Sequence, residues 1–195
     1  ALKRVDVGAY SPSELIATNI LGTMNDVNAA IQQGVKRVIV ISSDKAVQPT
    51  NIYGATKQVG ESYSVQANAY GYPSGTLIAA VRYGNILGSR GSVIPIWRDQ
   101  FKRGVPLTIT DSRMTRFVMT IEQAVDLVLY AIENTQGGEV FVPLLPSASI
   151  GQIVEASLPV GSRFTTAHIG LRPGGEKLHE RRLQRIVVRP RAPPL

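Results

Sequence analysis

Hydrophobic residues recur at helical spacing over residues 11–34, the first clearly periodic segment of the chain. The apolar positions follow one another at intervals of three or four residues, namely Ile16, Ile20, Met24, Val27 and Ile31. Ser11 and Glu14 have the spacing of a capping box, Pro12 suits the first helical position, and Gly34 is a typical C-terminal stop. The pattern therefore predicts one long amphipathic helix.

A β-branched run at residues 37–41 is typical of a strand that is buried on both faces, as in parallel sheets. A helix over residues 53–70 and a second strand over residues 76–83 follow, and this order predicts a right-handed βαβ unit. Further along, the pattern predicts a helix at 93–102 that Gly104 ends, a strand at 107–109 and an exposed loop at 111–116. A helix whose capping box is Thr120 and Gln123 follows, and then a strand at 139–142 and a helix at 149–158.

Four polar residues stand where the first predicted strand ends: Ser42, Ser43, Asp44 and Lys45. Open α/β sheets bind their ligands at the carboxyl ends of the strands. The sequence therefore predicts that the chemistry of this protein is located at the exit of that strand.

Tyr53 and Lys57 lie four residues apart at the start of the next predicted helix, which places both side chains on one face. A free phenol has a pKa of about 10 and is a poor base at neutral pH. An ammonium group nearby favours the phenolate and lowers that pKa, so the pair can exchange a proton with a substrate hydroxyl. Taken alone the spacing is a weak signal, but it follows directly on the polar strand exit.

The glycine spacing of Gly84, Gly88 and Gly91 imitates a dinucleotide-binding fingerprint. We reject that interpretation because no strand ending in an acidic residue follows at the expected distance. A substrate loop is the preferred interpretation, since glycines let the backbone approach a ligand closely. Arg113 and Arg116 then offer guanidinium forks that match a pyrophosphate, with two solvated arginines as the alternative.

The composition of the 195 residues fits a globular α/β protein and narrows the possible chemistry. There is no cysteine, which excludes disulfides and thiolate metal sites, and two histidines leave little scope for a metal centre, so we predict no metal. The absence of cysteine and of a signal-peptide pattern predicts a cytoplasmic protein, and no apolar run is long enough to span a membrane.

The formal charge of +7 arises mostly from five arginines in residues 181–195, a segment with no acidic residue. Residues 1–180 hold 16 basic and 14 acidic groups, so their net charge is small. A basic tail can bind nucleic acid or membrane phosphates, but a solvated tail is the preferred interpretation. We therefore predict neither a nucleic-acid nor a membrane partner.

Read together, the motifs resemble the extended short-chain dehydrogenase/reductases, and within them the configuration-inverting UDP-N-acetylglucosamine 4,6-dehydratases of pseudaminic acid synthesis and flagellin glycosylation. The resemblance covers residues 1 to about 180. It rests on these blocks: residues 1–3, 43–47 (SDKAV), 51–57 (NIYGATK), 81–85 (VRYGN), 88–93 (GSRGSV), 110–117 (TDSRMTRF), 138–143 (GEVFVP) and 172–179.

The resemblance implies a Rossmann-like doubly wound parallel sheet whose N-terminal strands are missing, joined to a smaller C-terminal α/β part. Residues 1–90 would be the C-terminal half of the NAD-binding domain, residues 91–180 mostly the UDP-sugar region, and residues 181–195 a basic tail. A UDP-N-acetylhexosamine is the implied substrate and NAD or NADP the implied cofactor. The family forms homo-oligomers, which we expect of a complete chain.

The resemblance also implies a role for each site residue. Tyr53 would take the proton of the sugar 4-hydroxyl, and Lys57 would lower the pKa of Tyr53. Asp44 would protonate the leaving 6-hydroxyl, and Lys45, in its neutral form, would remove the C5 proton. Lys57 and an oxidised nicotinamide would depress the pKa of Lys45. The cofactor would be held by Lys3, Ser42, Ser43, Tyr53, Lys57, Tyr83 and Gly84, and the substrate by Asn85, Arg90, Arg113, Thr115, Arg116, Arg172 and Glu176.

Three features depart from the family pattern. The glycine-rich pyrophosphate loop and its neighbouring strands are absent, residues 172–176 contain one extra glycine, and the stretch after Glu180 has no counterpart. The alternatives are therefore a truncated UDP-sugar-binding module without turnover, or a nucleotide-sugar epimerase, which typically lacks Lys45 after Asp44.

Overall fold

The computed structural model describes residues 1–3, 8, 10–89, 91–171 and 175–181. Its helices are α1 (Pro12–Leu15), α2 (Gly22–Gln32), α3 (Ile52–Gly71), α4 (Val93–Lys102), α5 (Ile121–Asn134) and α6 (Ile150–Ser157). Its strands are β1 (Arg37–Ser43), β2 (Leu77–Tyr83), β3 (Asn85–Ile86), β4 (Leu107–Ile109), β5 (Thr115–Met119), β6 (Val140–Phe141), β7 (Ser147–Ser149) and β8 (Thr166–His168). The α/β fold class is confirmed.

The main sheet has the order β1-β2-β6, and both of its strand pairs are parallel. In the β1–β2 pair, Arg37 lies opposite Leu77 and Ser43 lies opposite Tyr83. Helix α3 connects the two strands and packs on both of them. Because parallel strands end at the same edge, this register brings the polar exits of β1 and β2 side by side.

The expectation that β1 is buried on both faces is wrong. Ile41 is 40% exposed, whereas residues 78–82 of β2 are all buried. Among the described residues β1 lies at the edge of the sheet, with β2 on one side and no strand on the other. A β-branched run reports that a strand is apolar, but it does not report how many neighbours cover it.

The predicted helix over residues 11–34 forms with two differences. The side chain of Ser11 makes no capping hydrogen bond, so the predicted capping box is wrong. Between α1 and α2 the chain takes a π-helical course over Ile16–Leu21, whose wider turn breaks a strict 3.6-residue period. Leu15 and Asn19 are consequently buried, whereas Ile16 is 41% exposed.

The second half of the chain adds two smaller sheets. One has the order β3-β5-β7, with β5 antiparallel to β7, and the other pairs β4 with β8 in parallel. Helices α4 and α6 cover a core that includes Trp97, Leu107, Met114 and Val154. The Trp97 indole N–H donates to the Thr108 carbonyl at 2.8 Å, so this large side chain is buried without losing its hydrogen bond.

The sequence missed strands β3, β5, β7 and β8. The most consequential is β5, because Thr115 and Arg116 lie in this strand and not in the exposed loop predicted at 111–116. Strand β6 falls within the region predicted to hold the substrate, yet it pairs with β2 in the main sheet. The predicted division at residue 90 stays a prediction.

Candidate active site

The exit of β1 turns directly into a short 3₁₀ helix, Asp44–Ala46. The Ser43 hydroxyl caps this turn, accepting from the Lys45 backbone N–H at 3.3 Å and donating to Asp44 Oδ1 at 3.0 Å. Ser42, Ser43 and Asp44 are all buried. The turn therefore presents a carboxylate and a lysine at the carboxyl edge of the sheet, as the sequence predicted.

The Lys45 ammonium has two carboxylates nearby. Its Nζ is 3.1 Å from Asp44 Oδ1 and 4.0 Å from Glu180 Oε1. Burial by itself would lower the pKa of Lys45, but the attraction of Asp44 and Glu180 outweighs it, so the pKa is raised above its ordinary value. The expected depression of this pKa is wrong for the structure, because the neighbours of the ammonium are anions and not Lys57.

Tyr53 and Lys57 lie on the first turns of α3, and each is 8% exposed. Asn51 caps this helix, its side-chain oxygen accepting from the Gly54 N–H at 2.8 Å. A Cβ at Gly54 would collide with the Lys45 carbonyl oxygen, so a glycine here lets the start of α3 lie directly against the Asp44–Ala46 turn. Tyr53 and Lys57 thus share one face of α3, as the four-residue spacing predicted, and the contact at Gly54 brings the start of that helix close to Lys45.

The electrostatic partner of the phenol differs from the predicted one. Burial raises the pKa of Tyr53, and Lys45 and the Ser43 hydroxyl act in the opposite direction. Lys57 instead donates to the Ile41 carbonyl, and burial lowers its pKa against the attraction of Glu61. In this structure Lys45 is therefore the cation that favours the Tyr53 phenolate.

A buried ion pair beneath the site was not predicted from the sequence. Arg82 of β2 donates through Nε to Glu61 Oε2 at 2.8 Å and through a terminal nitrogen to Oε1 at 2.5 Å. Both side chains are about 95% buried. This two-pronged contact ties the middle of α3 to the exit of β2 and so fixes the helix that carries Tyr53 and Lys57.

The exit of β2 is closely packed. The Tyr83 hydroxyl donates to the Ala124 carbonyl at 2.9 Å, and burial raises the pKa of Tyr83. A Cβ at Gly84 would lie 2.6 Å from Leu145 Cδ1 and 2.8 Å from the Phe117 carbonyl oxygen. The glycine is therefore required by packing, which is a separate reason from the predicted cofactor contact.

Several buried polar atoms along this edge have no hydrogen-bond partner among the described residues, including Ser42 Oγ, Asp44 Oδ2 and Asn85 Oδ1. Buried polar atoms are nearly always paired, so such a group at a sheet edge is typical of a binding site. The donor and acceptor types fit the hydroxyl and amide groups of a nucleotide and a sugar. They do not by themselves select one ligand.

The C-terminal segment 175–181 crosses the site and joins it to the second half of the chain. The Asn51 amide donates to the Gly175 carbonyl at 2.9 Å, and Lys177 Nζ donates to the Val47 carbonyl. On the other side, the Thr115 N–H donates to the Leu178 carbonyl at 3.0 Å. This segment delivers Glu180, a buried site residue that the sequence offered no local signal to find.

The predicted substrate residues have different surroundings in the structure. Arg113 is largely exposed and binds Asp111 at 2.6 Å, and this hydrogen bonding lowers the pKa of Asp111 to about 2. Arg116 points at backbone, donating to the carbonyls of Thr115, Lys177 and Leu178. Thr115 Oγ1 lies 2.8 Å from His179 Nδ1. Glu176 and Asn85 are half-buried, and Arg90 and Arg172 lie outside the described residues. Lys3, which was predicted to hold the cofactor, is exposed.

A cavity of about 490 Å³ opens beside the β3 exit. Its lining includes Leu87, Gly88, Ile94, Arg98 and Gln152. Arg98 is anchored by a hydrogen bond from Nε to the Ser157 carbonyl at 3.0 Å. The glycine loop therefore borders a cavity large enough for part of a nucleotide, and its interpretation as a substrate loop stays a prediction.

Fold and site together define a Rossmann-like α/β protein with a Tyr-x-x-x-Lys helix and an acid–lysine pair at one strand exit. Residues 1–189 match the model of the family described as polysaccharide biosynthesis protein, and the chain belongs to this family. Of the described residues, none lies in a helix long and apolar enough to cross a membrane.

Two curated relatives carry names of different activities. The chain is 42% identical to a UDP-N-acetylglucosamine 4,6-dehydratase (inverting) from Campylobacter jejuni, over 92% of this chain and 53% of that protein. It is also 42% identical, with the same coverage, to a UDP-glucose 4-epimerase from Rickettsia typhi. The chain thus spans about half the length of the curated relatives it matches.

Solved structures confirm the expected fold. The X-ray structure of Pen from Bacillus thuringiensis has a TM-score of 0.84 and 39% identity, and the match covers 94% of this chain and 58% of that one. A dTDP-glucose 4,6-dehydratase from Streptomyces venezuelae, solved with NAD and TYD bound, has a TM-score of 0.81 at 18% identity, covering 92% of this chain and 61% of that one. The resemblance to the extended short-chain dehydrogenase/reductases is therefore confirmed.

Proposed function

We propose that this chain carries the acid–base half of a nucleotide-sugar 4,6-dehydratase that acts on UDP-N-acetylglucosamine. The observation that carries the proposal is the convergence of Asp44, Lys45 and Tyr53 at one strand exit. A phenol can accept the proton released in the oxidation at C4, and an amine and a carboxyl group are the base and the acid that loss of water across C5 and C6 requires. The dehydratase from C. jejuni supports it at 42% identity.

NAD, or NADP, would supply a hydride acceptor for sugar C4 and return the hydride to C6. Ser42, Ser43, Tyr53, Lys57, Tyr83 and Gly84 would hold it, and the unpartnered Ser42 hydroxyl is a free hydrogen-bonding group of the right kind. Lys3 would also contact the cofactor. The backbone beside it is fixed to α3, because the Asn19 side chain exchanges hydrogen bonds with the Leu2 backbone and also donates to Thr56.

Each proton has a carrier in this arrangement. Tyr53 takes the proton of the 4-hydroxyl, helped by the neighbouring Lys45 ammonium. Asp44 has one oxygen bound to Lys45 and one without a partner. In its protonated, carboxylic-acid form Asp44 would donate a proton to the leaving 6-hydroxyl and become the carboxylate. Asn85, Arg90, Arg113, Thr115, Arg116, Arg172 and Glu176 would hold the UDP-sugar.

Lys45 takes the C5 proton only after losing its own. Because its pKa is raised, the neutral form is scarce at neutral pH, and its fraction grows as the pH rises toward that pKa. We therefore expect the rate of C5 proton exchange to increase with pH across the range from neutral to alkaline.

The test is NMR of UDP-N-acetylglucosamine with the purified chain and added NAD in D₂O. The proposal expects a 4-keto-6-deoxy product with deuterium at C5, lost in Lys45→Met and kept in Lys102→Met, a charge-matched change on the exposed end of α4. A product that is instead the C4 epimer would contradict the proposal and favour the epimerase, which the R. typhi relative supports. Line broadening of the UDP signals without any product would favour a binding module without turnover.

The finer assignments belong to the same proposal. The sequence motifs resemble those of the inverting dehydratases, and on that resemblance we place the chain in pseudaminic acid synthesis and flagellin glycosylation, in the cytoplasm and in a homo-oligomer. The near balance of 16 basic and 14 acidic groups in residues 1–180 favours no nucleic-acid partner.

A further inference from the structure

Glu180 is a buried carboxylate for which neither the proposed mechanism nor the sequence motifs provide a role. Its side chain is only 4% exposed, although carboxylates are rarely buried unless a cation compensates the loss of hydration. It sits at the end of the C-terminal segment, far along the chain from Lys45. A buried charge delivered from so far away requires a reason in the site itself.

Two lysines flank the Glu180 carboxylate. Oε1 is 4.0 Å from Lys45 Nζ, and Oε2 is 3.2 Å from Lys177 Nζ. Lys177 in turn donates to the Val47 carbonyl, in the loop that follows the Asp44–Ala46 turn. Glu180 is thereby held beside the Asp44–Ala46 turn, and Asp44 contacts the same Lys45 ammonium at 3.1 Å.

The segment that carries Glu180 is fixed independently of this ion pair. The Arg116 guanidinium donates to the carbonyls of Lys177 and Leu178, and the Leu178 carbonyl also accepts from the Thr115 N–H. These backbone contacts to β5 set where the carboxylate arrives. The orientation of Glu180 is therefore a consequence of the fold of the second half of the chain.

We propose that Glu180 is a positioning residue for Lys45, which shares the Lys45 ammonium with Asp44 so that the C-terminal segment helps to set the orientation and the charge of this lysine. The catalytic meaning rests on the proposed function, but the ion pair itself does not. The charged or titratable groups around Lys45 are Asp44 on its own turn, Tyr53 on α3, and Glu180 and Lys177 on the C-terminal segment.

The proposal makes opposite predictions for two substitutions. Glu180→Gln removes one of the two anions, so we expect the pKa of Lys45 to fall by about one unit. Lys177→Met removes the competing cation and leaves Glu180 to Lys45 alone, so we expect that pKa to rise. A loss of structure would instead move the pKa of Lys45 toward its ordinary value in both variants.

The measurement follows the ¹³Cε signals of the chain labelled with ¹³C-lysine across the alkaline range in which it stays folded, with Lys45→Arg to assign the signal. Glu155→Gln, on the exposed surface of α6, is the charge-matched control and should leave the Lys45 titration unchanged. An unchanged midpoint in Glu180→Gln, or the same direction of shift in both variants, would overturn the proposal. The titration needs no turnover, so it tests the role of Glu180 even if the dehydratase assay gives no product.

Discussion

The buried pair between Glu61 and Arg82 gives the sharpest prediction about stability. The perturbation is Glu61→Gln, which keeps the shape of the side chain but removes its charge. Arg82 then remains in the interior with its positive charge uncompensated by this partner, while its hydrogen bond to the amide oxygen can persist. The loss is therefore electrostatic more than steric.

The magnitude follows from burial. Breaking a buried ion pair by removing one partner typically lowers the free energy of unfolding by about 3–5 kcal/mol. Because one hydrogen bond can be retained, we expect Glu61→Gln to lower it by about 3 kcal/mol. For a chain of this size that corresponds to a fall in Tm of roughly 6–12 °C. The matched control is Asp99→Asn, which breaks the exposed pair with Arg103, where both side chains are about two-thirds exposed. An exposed pair one helical turn apart contributes only about 0.3–0.5 kcal/mol.

Urea unfolding of both variants, followed by far-ultraviolet circular dichroism, measures the two free energies of unfolding. The double variant Glu61→Leu with Arg82→Met adds a further test, because replacing both charges with apolar groups should restore most of the stability. If Glu61→Gln and Asp99→Asn lost the same stability, or if the double variant were less stable than Glu61→Gln, the electrostatic reasoning would be refuted.

Two further predictions concern local structure. Thr120→Ala removes the capping box of α5 and should cost about 1 kcal/mol of unfolding free energy, whereas Ser11→Ala should cost close to nothing because Ser11 makes no capping bond. Gly84→Ala forces a Cβ to 2.6 Å from Leu145 and should destabilise by about 1–3 kcal/mol, while Gly151→Ala, in open helix surface, should be neutral or stabilising. Thermal unfolding compares each pair, and equal losses within a pair would contradict the reasoning.

Local patterns were sufficient for several elements and for part of the site. The bounds of α4 and β4 agree with those predicted, and the Thr120–Gln123 capping box forms. The placement of Tyr53 and Lys57 on one face of a helix also follows from a four-residue spacing. In each case the determining contacts lie within one or two turns of the residue, so the sequence contains the information directly.

Other features depended on partners far along the chain. Strand β5 begins with polar residues, and its strand state comes from pairing with β3 and β7. The π-helical course after α1 follows from packing that buries Leu15 and Asn19. Neither has a signal in local periodicity, because both are decided by what the segment contacts.

By itself the sequence determined the α/β class, the polar exit of β1, the candidate site residues Asp44, Lys45 and Tyr53, and the family. The tertiary structure decided the burial of Tyr53 and the second anion beside Lys45, which together with Asp44 set the directions in which the pKa values of these two groups shift. Glu180 reaches Lys45 only because β5 holds the C-terminal segment beside the Asp44–Ala46 turn, and Asp44 together with Glu180 raises the pKa of Lys45 where a lower one was expected. A side chain's pKa depends on the charges and the burial within a few ångströms, and those neighbours come from the folding of the whole chain.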